Sequence, residues 1–133
     1  MNIAFFTEGG YTGKIPRNNP NMRTDQAWMC ALDATHHCVF QLEQVIQKYD
    51  IGIVIIPKNN PNVNLELIKQ YCNNVAVMQE GPHWYFQDYT IDKQFQYYNA
   101  LIDADWVYCH NESDVNYYLG LGCKDVRVMR SLI

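Results

Sequence analysis

The chain alternates between short apolar runs and amphipathic stretches. "NIAFFT" (2–7) is nearly continuous in apolar side chains, the pattern of a strand covered on both faces. Thr24 then precedes "DQAWMCALDA" (25–34), where Trp28, Ala31 and Leu32 share a helical face and acids stand near the start. "HCVFQL" (37–42) reads as a second strand. "LEQVIQKY" (42–49) places Leu42, Val45, Ile46 and Tyr49 at helical spacing and predicts a second helix. "DIGIVIIP" (50–57) is β-branched and closed by Pro57, the clearest strand of the chain.

The alternation continues to the end. Asn64 is positioned to cap "LELIKQYC" (65–72), and "NVAVMQ" (74–79) predicts strand four. "EGPHWYFQDY" (80–89) is an aromatic loop opened by a Gly-Pro stop. Thr90 caps "IDKQFQYYNALIDA" (91–104), and "DWVYCH" (105–110) is strand five. Ser113 caps "DVNYYLGLG" (114–122), which ends on Gly120 or Gly122, and "VRVMRSLI" (126–133) is strand six. Strict β-α alternation implies an α/β three-layer sandwich, with a mainly parallel, doubly wound, six-stranded Rossmann-like sheet and helices on both faces. Residues 1–133 form a single domain. The last strand has no helix after it, so we expect this domain to be one half of a longer two-domain protein.

Composition narrows the function classes. A hydrophobic fraction of 48% with 18% charged residues belongs to a globular core. The net charge of −4 gives no overall field toward nucleic acid or anionic membranes, so nucleic acid is not an expected partner. No apolar run reaches the roughly 20 residues of a membrane span. "MNIAFF" lacks the basic start of a signal peptide. The cysteine number, 5, is odd and no CxxC spacing occurs; this predicts free thiols in a reducing, cytoplasmic setting without metal.

Ligands of parallel sheets bind beyond the carboxyl ends of the strands. The unusual segments fall there. Gly9, Gly10 and Gly13 let backbone approach a phosphate, or simply form a flexible turn. The spacing matches neither a Walker A loop nor G-x-G-x-x-G. Lys14, Arg17 and Arg23 are three cations in a stretch (11–24) without acids, suited to phosphate or carboxylate or merely to solvent. Glu80 follows strand four and His110 follows strand five, with His83 and Glu112 beside them. Each is a candidate catalytic or binding group, or a polar end of a loop. Trp84, Tyr85, Phe86 and Tyr89 suit a sugar or base face, or pack the loop onto the sheet. No Ser-His-Asp arrangement and no metal spacing is present.

These stretches resemble the N-terminal Rossmann-like domain of GT-B glycosyltransferases, the group of glycogen-synthase-like and sucrose-synthase-like enzymes. Three segments carry the resemblance: "FFTEGGYTGKIPRNNPNMRTDQAWMCALDA" (5–34), "MQEGPHW" (78–84) and "LIDADWVYCHNESDVNYYLGLGCKDVRVMRSLI" (101–133). It implies transfer of a sugar from a nucleotide sugar, UDP- or GDP-linked, to a small-molecule or glycan acceptor, with no other cofactor. It further implies a C-terminal donor-binding domain outside this chain, no activity for the half alone, and room for a homodimer. By position in that fold, Gly9, Gly10 and Lys14 stand near the donor phosphates. Arg17, Asn19, Arg23, His83, Trp84, Asn111 and Glu112 line the acceptor side, and His110 and Glu80 are the catalytic candidates. The competing reading is a non-catalytic flavodoxin-like binding module, since "TEGGYTGK" is partly compatible with a phosphate loop. A receiver domain fits poorly, because strand three ends in "IPKNN" without an aspartate.

Overall fold

A computed structural model describes residues 1–79 and 88–130. Six strands form one sheet: β1 (Ile3–Thr7), β2 (Thr35–Cys38), β3 (Tyr49–Val54), β4 (Cys72–Met78), β5 (Trp106–Cys109) and β6 (Val126–Val128). Their order is β2-β1-β3-β4-β5-β6, and every neighbouring pair is parallel. The helices are α1 (Thr24–Ala31), α2 (Leu65–Tyr71), α3 (Ile91–Asp103) and α4 (Val115–Leu121). The chain is therefore an α/β protein with a Rossmann-like sheet, as the alternation implies.

The two faces of the sheet are covered unequally. Ala4, Phe6, Val54, Val75, Val77 and Val107 point to one face, where Leu65 and Ile68 of α2, Tyr97 and Leu101 of α3 and Tyr118 of α4 close over them. Ile68, Leu101 and Tyr118 are completely buried; side chains of this kind contribute roughly 1.5–3 kcal/mol each. The opposite face presents Phe5, Ile53, Ala76, Met78 and Trp106, and α1 is the helix packed on it, through Met29, Trp28 and Leu32. Arg127 lies over the Trp106 ring at 4.2 Å, a cationic cover for an aromatic surface.

Local chemistry sets several boundaries. Asn64 accepts from Leu67 N (3.1 Å) and Thr90 from Lys93 N (3.4 Å), the caps expected of them. Gly122 ends α4 in the left-handed region (φ 104°). The helix expected over 42–49 does not form. Leu42–Gln44 make a single 3₁₀ turn; Leu42 and Val45 are buried, but Ile46 is 93% exposed. Tyr49 pairs with Cys72 as the first residue of β3, so ladder pairing draws it out of any helix. β2 spans Thr35–Cys38 rather than 37–42: its register with Ala4–Thr7 of β1 runs from Thr35 to Cys38, and Leu42 belongs to the 3₁₀ turn. Thr24 is not the α1 cap: Arg23 takes the position, with its N–H donating to Gln26 Oε1 (3.1 Å). Ser113 likewise lies inside a 3₁₀ turn (Glu112–Asp114) and Asp114 precedes α4. β6 spans Val126–Val128, and 131–133 fall outside the described residues. Asp105 closes the start of the β4–β5 ladder, its Oδ2 accepting from Val75 N and its N donating to Val75 O, both 2.8 Å.

The first loop is folded against the edge of the sheet. Gly13 and His36 exchange backbone hydrogen bonds of 3.0 and 2.8 Å as an antiparallel bridge, so the chain turns after β1 and runs back along β2. His36, wholly buried, holds the turn. Its Nδ1 donates to Tyr11 O (2.8 Å), because a carbonyl can only accept. Its Nε2 therefore accepts from Thr7 Oγ1 (2.7 Å), which itself accepts from Gly9 N (3.2 Å). Tyr11 stacks on the imidazole at 3.8 Å between ring centres. A Cβ on Gly9 would meet the Tyr11 ring at 2.8 Å, so glycine is required there by packing.

Two outcomes follow. A Cβ on Gly52 would lie 2.6 Å from Cys72 Sγ and 3.1 Å from Phe6. Gly52→Ala should cost about 1–3 kcal/mol in denaturant unfolding, with partial recovery in Gly52→Ala/Cys72→Ala. Burial pushes His36 below the ordinary histidine range, against the opposing pull of Tyr11 O and Asp25, and burial also lowers His37. The unfolded chain takes up these protons near pH ~6.5 and the folded chain only at lower pH. Stability is therefore full above that value and falls as pH drops, by at most about 1.4 kcal/mol per pH unit for each histidine. Urea unfolding between pH 7.5 and 5 should show the decline, with a shallower slope in His36→Gln; a flat profile in the parent would refute it.

Candidate functional site

Because all six strands are parallel, their carboxyl ends share one edge. β1 leads outward to β2, and β3 begins the march to the other side, so the strand order reverses between β1 and β3. Glu8, Gly9 and Gly10 leave β1 at this point. Gln79 follows β4, His110, Asn111 and Glu112 follow β5, and Met129 and Arg130 follow β6 on the same edge. β1 and β5 are three strand spacings apart, about 14 Å.

His110 is the most defined group there. Its Nδ1 donates to Met129 O, which fixes the neutral ring as the Nδ1–H tautomer. Its Nε2 is buried and has no hydrogen-bond partner among the described residues. The ring is thus held in orientation through Nδ1, and Nε2 is a covered acceptor atom. Glu112 pairs with Arg130 (3.3 Å), both side chains well exposed. Asn111 O accepts from Cys109 Sγ (3.3 Å) and from Asp114 N (3.1 Å), which shapes the turn carrying His110. Burial raises the Cys109 thiol pKa, so this neighbour is a packed thiol rather than a nucleophile.

The first loop divides differently from its reading as a phosphate cradle. Gly10 has open space around it, whereas Gly9 is occupied by the Tyr11 packing. Lys14 does not join them. Its Nζ donates to Asp33 O (2.6 Å) and pairs with Asp33 Oδ1 (3.0 Å), just before β2 begins. That is the amino edge of the sheet, about 16 Å down the strand from the carboxyl edge. The run of the backbone along β2 carries it there. Asn19 Oδ1 accepts from Asn21 N (3.1 Å) within its own turn. Arg17 is exposed, and Arg23, also exposed, stands at the start of α1 and so returns to the carboxyl edge. Glu80, His83 and Trp84, with Tyr85 and Phe86, lie outside the described residues.

Two features escape a sequence reading. Trp28 Nε1 donates to Arg130 O (3.0 Å), across 102 positions of chain, which ties α1 to the exit of β6. Asp25 Oδ1 is buried and unpartnered in the first turn of α1. Neither carries a local signature, since each depends on where α1 lies over the sheet. A cavity of about 390 Å³ between the start of α2 and α3, lined by Asn64, Glu66, Gln96, Asn99 and Asp103, contains none of the catalytic or binding candidates. Among the described residues no cluster of three or more His, Cys, Asp or Glu could hold a metal ion, and no helix is long and apolar enough to cross a membrane. No family model matches the chain, and neither a curated protein nor a solved structure is significantly similar to it.

Proposed function

We propose that this domain is the acceptor-side half of a GT-B-type glycosyltransferase, which moves a sugar from a UDP- or GDP-sugar to a small-molecule or glycan acceptor. The observation that carries the reading is His110, anchored through Nδ1 with a buried, unpartnered Nε2 at the carboxyl edge of β5. A buried acceptor without a partner takes a hydrogen bond, and then a proton, from a hydroxyl that displaces the groups covering it. In the transfer, the bond from the sugar anomeric carbon to the diphosphate breaks and the nucleotide leaves with the electron pair. The bond to the acceptor oxygen forms, and the hydroxyl proton passes to His110 Nε2.

The remaining roles follow from position. Gly10, open and close to the point of strand-order reversal, leaves backbone accessible to the donor phosphates. Asn111 and Glu112 border the acceptor beside His110, with Arg23 at the same edge. Lys14, engaged by Asp33, is left out of the donor set. Grip on the nucleotide belongs to a second domain, and closure of the two supplies orientation and excludes water.

The polypeptide that carries these 133 residues should release UDP or GDP from a nucleotide sugar in the presence of acceptor. His110→Ala should lower kcat by about 10²–10⁴-fold with KM little changed, and residues 1–133 alone should not turn over. Absence of nucleotide release from UDP- and GDP-sugars, or full activity of His110→Ala, would contradict the reading.

A further inference from the structure

Besides the exposed Arg130–Glu112 pair and the packing of Met129 on the apolar cluster, three hydrogen bonds involving backbone hold the exit of β6. Met129 N donates to Cys109 O (2.8 Å), which prolongs the β5–β6 ladder by one bond. His110 Nδ1 donates to Met129 O. Trp28 Nε1 donates to the next carbonyl, Arg130 O (3.0 Å). The first two bonds lie within the β5–β6 pair and move with it. Only the third refers this segment to α1, the helix packed on that face of the sheet.

β6 needs that reference. It is the outermost strand, three residues long, paired on one side only, and none of its three residues is fully buried. A short edge strand frays readily at its end. Fraying at Met129 would move the carbonyl that receives His110 Nδ1–H, and with it the one bond among the described residues that selects the tautomer. The indole N–H is the single donor of a tryptophan side chain, and here it is spent on a backbone carbonyl adjacent to that one.

We propose that Trp28 is a positioning residue for His110: its indole pins the carbonyl of Arg130, and so holds Met129 O where it keeps the His110 ring in the Nδ1–H form with Nε2 free. The kinetic consequence rests on the proposed role of His110 as proton acceptor; the structural consequence does not.

The test uses the full polypeptide with ¹⁵N-labelled histidine, the His110 signals being identified by their loss in His110→Gln. Trp28→Phe removes the donor. A second variant carries 3-benzothienylalanine at position 28, which fills the indole volume with sulfur in place of N–H, so that repacking is not the cause of any change. The parent should show one neutral tautomer of His110, Nδ1–H. Both variants should populate the Nε2–H form as well, and should lose about tenfold in kcat at unchanged KM. A loss of stability alone would leave the tautomer of the folded protein untouched. A single Nδ1–H tautomer retained in the benzothienyl variant overturns the proposal. If the tautomer shifts but even the parent transfers no sugar, the positioning role stands and the transferase reading falls. If the parent transfers sugar and the tautomer does not move, the reverse holds.

Discussion

Parallel pairing is the constraint from which the rest of this molecule follows. Six strands running the same way cannot be joined by hairpins, so each connection must climb back over a face of the sheet. The returns cover both faces with helices or turns and leave every strand ending on one edge. Gly10, Gln79, His110 and Arg130 come from four distant parts of the chain and follow strands that end on this edge. The centre of the ladder tolerates little: Gly52, between Ala4 and Val75, leaves room for the Cys72 thiol and the Phe6 ring and for nothing more.

The unequal cover of the two faces shapes the candidate site. Three helices seal one side with fully buried aromatic and aliphatic groups. α1 serves the other side, and its partners reach from Phe5 in β1 to Trp106 in β5. That apolar cluster spans β1, β3, β4 and β5, and α1 lies in it. The loop that precedes it is fastened to β2 through His36, and the helix itself reaches β6 through Trp28. Both histidines that matter use Nδ1 to hold a backbone carbonyl. They differ in front: His36 Nε2 is satisfied by Thr7, and His110 Nε2 is not satisfied at all. That contrast is what sets His110 apart from His36.

Much of the fold was legible in the sequence because apolar runs and caps are local signals. Asn64, Thr90 and Gly122 act at the ends of helices as their side chains, or the lack of one, dictate. Residues 42–49 misled because Leu42, Val45 and Tyr49 are apolar for three separate reasons: a 3₁₀ turn, a core contact and a strand start. The spacing imitates a helix without one. Thr35 and His36 hid the start of β2, since a buried polar ring departs from the apolar pattern. At the site, His110 was legible as a polar residue ending an apolar strand. The destination of Lys14 was not, because it depends on the long loop doubling back along β2. Trp28 read as one more apolar helix position; its hydrogen bond is a property of tertiary packing.

The most direct test is a crystal structure of the protein with a UDP- or GDP-sugar bound. The account predicts a sugar or acceptor hydroxyl within hydrogen-bonding distance of His110 Nε2, with the diphosphate on the same edge of the sheet. A ligand seated at the opposite edge, beside Lys14 and Asp33, with His110 Nε2 still unpartnered, would contradict it.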